Sequence, residues 1–440
     1  MASTGSARLR WADLRQALVD VPALAWGFVY FFCLLCGYFM LRSVRDAFGA
    51  SQDVAAVFPP GLIEVFAARG LSLGDLTLQV LFSTVFLAML LLQPIYGALV
   101  SRVPRRVFLP VVYGLIVLAL LGFHGLFEHD VAGRGAAFFV FLAVINLFAV
   151  SVFWSYMSDV FTPVQSRLFY GFIGVGGTLG ALAGPALTRE LVGRVGVENI
   201  VLIATGFLVV CLVVTLVLAP WARQRERERG GPAFDDAMGG RFLEGLWLVL
   251  RDPVMRSMAL LLFFGVGVGT LLYSEQVAIA RQIVDDAERT AFFATIDFWV
   301  NITTLVVQSL LTPFLMARFG IAPLLLVPGM AVMVGFALLA GNPLPGLLLV
   351  VQVMLRAGEF SLVKPARETI YTRVDAERRY KAKAFIDTAV YRSGDVSFIW
   401  VHKLVAGFGT AAVFLFGTLV AACMVAAAWA LVRAQRRLPG

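Results

Sequence analysis

The sequence of 440 residues is 60% hydrophobic and only 15% charged, and its formal net charge is +8. Soluble domains are about half apolar and about a quarter charged, so this composition excludes a soluble fold and predicts a protein that faces lipid. A positive net charge can indicate a nucleic-acid partner. Here basic loops on the inner side of a membrane account for it, and no nucleic acid is expected.

Apolar stretches of about 20 residues recur along the chain and predict transmembrane α-helices. A β-barrel would instead show segments of about ten residues with alternating hydrophobicity. Because lysine and arginine concentrate on the inner side of a membrane, their distribution predicts cytoplasmic termini and a multi-pass protein of the cell inner membrane. The twelve predicted spans are residues 22–41, 77–100, 107–127, 136–158, 168–190, 199–220, 257–279, 291–316, 321–341, 344–364, 383–401 and 406–432.

The longest inner loop divides these spans into two halves. It contains a mixed-charge run at residues 223–229, followed by two glycines and a proline, which is typical of a solvated linker. The predicted fold is an all-α membrane protein of twelve helices in two pseudo-symmetric six-helix bundles. Its parts are a cytoplasmic amphipathic segment (1–20), an N-terminal bundle (21–220), a cytoplasmic linker (221–256), a C-terminal bundle (257–432) and a cytoplasmic tail (433–440).

A basic turn occurs at equivalent places in the two halves. Span two ends at residues 97–106 and span eight ends at residues 313–320, each with a basic, tight turn. Many secondary transporters are built from such repeats, and the solute binds where the repeats meet. The repetition therefore favours a transporter.

The turn after span two resembles the loop G-x-x-x-D-R-x-G-R-R/K of the major facilitator superfamily. Ser101 replaces the acid of that loop and Pro104 replaces a glycine. The resemblance implies alternating access between two six-helix halves, with the arginines of the turn taking part in gating. Lys383, at the start of span eleven, is assigned to gating as well. The residues in register with the loop are Gly97, Arg102, Arg105 and Arg106.

Two further segments resemble the nucleotide (ATP/ADP) translocases of plastids and intracellular bacteria. They are residues 31–47, FFCLLCGYFMLRSVRDA, and residues 364–387, KPARETIYTRVDAERRYKAKAFID. The resemblance implies a divergent member that exchanges nucleotides or a related phosphorylated anion. In the second segment the matching residues are Pro365, Glu368, Tyr371, Asp375, Lys381, Lys383 and Asp387, and Arg392 follows at the family's spacing.

The charged site residues of that family are only partly present. Arg45 matches a basic residue of span one and Glu275 matches an acid of span seven. Leu142 replaces an acid of span four, and Asp395 replaces a lysine of span eleven. The resemblance therefore leaves the substrate open.

Charged side chains inside the spans are candidate site residues, because burying a charge in a bilayer is costly. Arg42 and Arg45 are three residues apart, so they share one face of span one. Two guanidinium groups on one face suit a phosphate or carboxylate, since each can bind two oxygens at once. The alternative is that both extend to the outer headgroups.

Further charges lie in spans seven, eight, ten and eleven. Arg356 and Glu359 could pair within span ten, and Glu275 or Asp297 could pair with an arginine of span one. An unpaired carboxylate of span eleven could alternatively bind a coupling proton. The residues predicted to contact the solute are Arg42, Arg45, Glu275, Arg356, Glu359, Asp387 and Arg392, with a local pair between Arg392 and Asp395 as the structural alternative.

No pattern in the sequence indicates an enzyme, a cofactor or a metal site. Three glycines of span five, Gly176, Gly180 and Gly184, are spaced for close helix packing and also resemble a motif of facilitator antiporters. We predict a secondary transporter of a small anionic, nucleotide-like solute. The alternatives are a proton-coupled transporter of an organic anion or drug, and a non-transporting membrane protein that binds lipid or a partner.

Overall fold

The computed structural model describes residues 21–100, 105–229, 242–374, 382–383 and 385–437. Within these ranges the chain forms twelve membrane helices, ten of them long and apolar enough to cross a bilayer by length and composition. They are α1 (Val21–Gly49), α2 (Thr77–Val100), α3 (Arg105–Glu128), α4 (Arg134–Val160), α5 (Pro163–Val195), α6 (Val197–Arg229), α7 (Pro253–Ala280), α8 (Asp286–Phe319), α9 (Ala322–Gly341), α10 (Pro345–Tyr371), α11 (Tyr391–Ala406) and α12 (Thr410–Ala434). The predicted fold class is confirmed.

Polar residues fix the points at which several helices begin. Thr162 and Gln165 form a reciprocal capping box at the start of α5. Asp252 accepts hydrogen bonds from the first turn of α7, and Asp285 does the same for α8. Each cap satisfies backbone N–H groups that have no partner inside the helix.

Each half has its own apolar core. The first core joins α1 to α3, α4, α5 and α6, and the second joins α7 to α9, α10, α11 and α12. In the first half, α5 packs against α1 through glycines whose missing side chains leave room for main-chain oxygens of α1. The contacts are Gly176 with Phe28, Gly180 with Phe32 and Gly184 with Cys36. Helix packing therefore accounts for the glycine spacing.

The halves meet at the end of the molecule where α1 finishes and α2 starts, which we call the closed end. A buried apolar cluster joins α1 and α2 of the first half to α7, α8 and α11 of the second. Its buried members are Ala47, Ala50, Leu78, Val277, Ala280, Phe293 and Ile399. The segment before α2 adds two short helices, Val54–Val57 and Pro60–Ala67, that cap this end.

The mixed-charge run at residues 223–229, which the sequence assigns to a solvated linker, is a helical extension of span six. Helix α6 continues to Arg229 because acids and bases alternate at helical spacing: Arg225 pairs with Glu228 at 2.7 Å, and Glu226 pairs with Arg106 of α3 at 3.0 Å. A further helix, Phe242–Arg251, precedes α7. The predicted amphipathic segment at 1–20, residues 230–241 of the linker and residues 438–440 of the tail lie outside the described residues.

The described part of the second half has three π-helical turns, two of them inside helices and one that leads into α11. These turns are Val307–Leu311 in α8, Glu359–Val363 in α10 and Ile386–Val390 just before α11. The Thr312 hydroxyl donates to the Ser361 carbonyl at 2.7 Å, so it satisfies one acceptor that the wide turn of α10 releases. Helix α10 also runs seven residues past its predicted end at 364.

Candidate solute-binding site

A network of charged side chains connects the two halves at the centre of the bundle. Asp297 of α8 accepts from Arg356 of α10, with 2.6 Å between Nη2 and Oδ1. Its other oxygen lies 3.5 Å from Nε of Arg42 on α1. Arg42 also lies 3.7 Å from Asp46, one turn further along α1. The network therefore joins α1 of the first half to α8 and α10 of the second.

Arg45 occupies the next position in this network. Its Nη2 lies 2.6 Å from Oδ1 of Asp46, and its guanidinium stacks 5.0 Å from the ring centre of Phe139 on α4. The Tyr273 hydroxyl of α7 donates to the same Asp46 oxygen at 3.2 Å. Arg42 and Arg45 therefore face the interior of the bundle, and the alternative that both extend to the headgroups is wrong.

The network has a surplus of positive charge. Three arginines, Arg42, Arg45 and Arg356, face two aspartates, Asp46 and Asp297, so the sum of formal charges is +1. The Arg42 Nε and one Asp297 oxygen are buried without a hydrogen bond, although they lie within ion-pair distance. A buried polar atom without a partner is costly, so this site can gain energy from an added hydrogen-bonding anion.

A second cluster lies further from the closed end, between α10 and α11. Arg367 donates from Nη2 to Asp387 at 2.8 Å and lies 3.4 Å from Glu359 through Nη1. Both acids lie in π-helical turns: Glu359 is the first residue of one, and Asp387 is the second residue of the other. The predicted pair of Arg356 with Glu359 is therefore wrong, since Arg356 pairs with Asp297 instead.

Arg392 forms the local pair that its spacing predicts. Its Nη1 lies 3.2 Å from Asp395 on the same helix, and the other Asp395 oxygen accepts from Thr270 of α7 at 3.3 Å. The charge of Asp395, which stands where the nucleotide translocases have a lysine, is therefore balanced by Arg392 on the same helix. Leu142, the other replacement, is fully buried in the apolar core of the first half.

Glu275 lies apart from the arginines of α1. Its Oε1 is 2.8 Å from Nε2 of His402 on α11, and both side chains are largely buried. The expectation that Glu275 could pair with an arginine of span one is therefore wrong, whereas the same expectation is correct for Asp297. Glu275 points to α11 because it lies on the opposite face of α7 from Tyr273, two residues earlier.

The residues assigned to gating form contacts within one half wherever the structure describes them. Arg106 of α3 pairs with Glu226 of α6. Lys383 donates to Glu368 of α10 at 2.7 Å and lies over the Tyr371 ring. Arg105 is the first residue of α3, and Arg102 lies outside the described residues.

The closed end is held by hydrogen bonds that cross from one half to the other. The guanidinium of Arg289 is buried; its Nε donates to the Ala47 carbonyl in the last turn of α1 at 2.9 Å. The Gln79 amide of α2 donates to the Ile399 carbonyl of α11 at 3.1 Å. The Trp400 indole donates to Ser83 of α2, also at 3.1 Å.

The exposed fraction differs among the interior charges. The Asp297 side chain is 3% exposed and that of Arg42 is 19% exposed. Glu359 and Asp387, further along, are 32% and 39% exposed. Arg367, which pairs with both of these acids, is only 8% exposed, so the second cluster meets solvent through its acids.

Sequence reasoning left out three residues that hold these networks together. Asp297 was a candidate partner for span one but not for the site, although its charge within a span was the signal. Arg367 lies beyond the predicted end of span ten, and Arg289 lies before the predicted start of span eight. The charge of both was therefore attributed to loops.

Residues 47–394 match the Major Facilitator Superfamily. The chain belongs to this superfamily. It is a membrane transporter of that family.

Three comparisons describe the relatives of this transporter. The ADP,ATP carrier protein 1 of Chlamydia muridarum is 23% identical, with 83% of this chain and 78% of that protein covered. The carrier of the same name from Chlamydia trachomatis is also 23% identical, with 83% and 79% covered. The crystal structure of a mutant of the nucleoside transporter NupG has a TM-score of 0.61 at 14% identity, covering 93% of this chain and 99% of that one. The last comparison supports the fold alone.

Proposed function

We propose that this protein is a secondary transporter that exchanges nucleotides, or a related phosphorylated anion, by alternating access. The observation that carries the proposal is the surplus of positive charge at the junction of the two halves, where Arg42, Arg45 and Arg356 face two acids. Phosphate oxygens accept two parallel hydrogen bonds from a guanidinium group, so this site suits them. The curated relatives are named as ADP,ATP carriers, which favours the same substrate class.

In this proposal the anion competes with Asp297 for its two arginines. A phosphate that binds Arg42 and Arg356 supplies the hydrogen bond that Arg42 Nε lacks, and it weakens the ion pair that joins α1 to α8 and α10. The contacts at the closed end then carry more of the attraction between the halves. Their release would turn the site to the other side of the membrane, which is the alternating-access step.

The second cluster supplies the path to the site. Glu359 and Asp387 are more exposed than the charges of the central network and hold the buried Arg367 between them, and Arg392 lies beside α7. We assign them to solute contact on the way to the centre. With both termini in the cytoplasm of an inner-membrane protein, the closed end faces outward and this path opens to the cytoplasm.

An exchange assay in proteoliposomes tests the proposal. Vesicles loaded with ADP should take up labelled ATP faster than empty vesicles, and Arg356→Gln should lose most of this exchange. Arg194→Gln, which changes an exposed arginine at the end of α5, is the matched control and should keep it. Equal uptake by loaded and empty vesicles would contradict nucleotide exchange.

The same vesicles separate the two alternatives. Uptake of an organic anion driven by a proton gradient, with no effect of internal nucleotide, would favour the proton-coupled transporter. Vesicles that retain folded protein and move neither class of solute would favour the non-transporting protein. A substrate-induced rise in melting temperature with ATP or ADP, absent in Arg356→Gln, would support the proposed site independently of turnover.

A further inference from the structure

We propose that Glu275 and His402 form a proton-binding site that favours closure of the closed end when it is occupied. The pair joins α7 to α11 through Nε2 and Oε1 at 2.8 Å. It contacts neither the central network nor the second cluster, so solute binding does not account for it. Burying an ionisable pair inside a membrane bundle costs free energy, so such a pair is a candidate for a function. A carboxylate and an imidazole can both bind and release a proton.

The position of the pair ties it to the contacts between the halves. On α7, Val277 and Ala280 follow Glu275 by two and five residues, and both belong to the buried cluster of the closed end. On α11, Ile399 and Trp400 precede His402 by three and two residues. These are the residues that bind Gln79 and Ser83 of α2. The Glu275–His402 bond therefore fixes α7 and α11 relative to each other, and these are two of the three helices that form the second half's side of the closed end.

Protonation changes the strength of this bond. A neutral imidazole offers Nε2–H as an ordinary donor, and the buried carboxylate is then poorly compensated. When the imidazole binds one proton from water, it carries a positive charge and the hydrogen bond becomes an ion pair. Histidine in general is the side chain suited to proton binding between pH 5 and 8, so this is the range in which the proposal is tested. Proton binding should therefore hold α7 and α11 in the arrangement that closes this end.

Few other charges face the pair. Helices α2 and α12 pack beside α11 and α7, and neither carries a Lys, Arg, Asp, Glu or His residue in 77–100 or 410–432. On α11 the adjacent Lys403 is exposed, while Asp395 is held by Arg392 and Thr270. The nearby charges of α1 and α10 belong to the central network. Beyond the end of α7, burial lowers the pKa of Arg281, which also interacts with Asp75.

Spin-label distance measurements test the proposal without any substrate. The chain's free cysteines, Cys33, Cys36, Cys211 and Cys423, are first replaced by alanine. Labels at Leu71→Cys and Val284→Cys then report the separation of the halves at the closed end, because both side chains are exposed and each belongs to a different half. The distance distribution is recorded in lipid nanodiscs from pH 5.5 to pH 8.5.

We expect the population with the short distance to fall as pH rises, with a change in the closed-to-open ratio of about tenfold, as for the loss of one charged hydrogen bond. His402→Gln keeps a donor but cannot titrate in this range, so it should abolish the pH dependence. Glu275→Gln should do the same. His124→Gln is the matched control: His124 lies near Glu128 in α3, at the same end of the molecule but within the first half and outside the cluster that joins the halves, so the pH dependence should persist.

A distance distribution that does not change with pH, or one that changes equally in His402→Gln, would overturn the proposal. Melting temperatures of each variant show whether the protein is folded, and Glu275→Gln provides the second test if His402→Gln is not. The inference requires only that the halves move, so it can fail while nucleotide exchange succeeds, and the reverse is equally possible.

Discussion

The two halves of the molecule bury polar groups in different ways. In the first half, buried polar groups are mostly neutral and locked in place: the Tyr30 hydroxyl donates to Tyr113 at 3.0 Å, and the Tyr156 hydroxyl donates to the Thr215 carbonyl at 2.8 Å. The second half contributes charges of α8, α10 and the segment of α11 to the networks, where they meet the charges at the end of α1, and the three π-helical turns described above lie in this half.

We infer that the two halves play different parts in the conformational change. The first half offers a rigid surface, with α1 pressed against α5 and three charged side chains near the end of α1. We expect the second half to be the more adaptable one, since its helices carry π-helical turns, which are frequent at functional sites. Two pseudo-symmetric bundles can thus differ in how readily each changes its conformation. The following variants test that difference, from the largest expected effect to the smallest.

Asp297→Asn should give the largest loss of stability. It removes the acid that compensates Arg42 and Arg356, and leaving a buried charge unpaired costs roughly 3–5 kcal/mol. Thermal unfolding in detergent measures this loss. The double variant Asp297→Asn with Arg356→Gln should recover much of it, because the number of uncompensated charges falls again.

The melting temperature of Asp297→Asn measured with added ATP tests whether phosphate binds at this site. In Asp297→Asn the site has gained one unit of positive charge, so ATP should raise the melting temperature of the variant more than that of the native protein. A smaller rise in the variant would argue that phosphate does not bind at Arg42 and Arg356.

Gly180→Ala tests the rigid half. A Cβ at this position would collide with the Phe32 carbonyl of α1, and forcing extra atoms into a close helix contact costs about 1–3 kcal/mol. The measurement is the melting temperature, with transport assayed on the folded fraction. Gly171→Ala is the matched control on the same helix, since nothing lies near its Cβ, and it should leave stability unchanged or slightly improved.

Arg367→Gln tests the adaptable half. It removes the cation that holds Glu359 and Asp387 together, and because both acids are partly exposed, we expect a cost of only about 1–2 kcal/mol. Hydrogen exchange should accelerate at Ile386–Val390, where Asp387 lies. The turn Val307–Leu311, which Arg367 does not contact, should exchange at its native rate and serves as the internal control.

The sequence was sufficient for the fold class because each span is long and apolar, and the local Arg392–Asp395 pair followed from helical spacing. The sequence also pointed to the arginines of α1. It could not assign their partners, because pairing between distant helices depends on how the halves dock. Glu359 was misassigned for a different reason: the π-helical turn that starts at this residue changes the register on which the helical spacing argument depends. Glu275 was assigned to the site through the resemblance to the nucleotide translocases. Its contact with His402 could not be predicted, because the two residues lie on helices far apart in sequence.

Arg106→Gln should have the smallest effect. Its partner Glu226 lies in the same half, and both side chains are partly exposed, so the pair contributes at most about 1 kcal/mol to stability. Since a rotation of one half against the other leaves this pair intact, transport should stay within about twofold of the native rate. The matched variant Glu226→Gln should behave in the same way.

A large loss of transport in Arg106→Gln at unchanged melting temperature would instead mean that Arg106 changes partners during the cycle. The turn at residues 97–106 would then act as a gate, and the first half would not be the rigid partner.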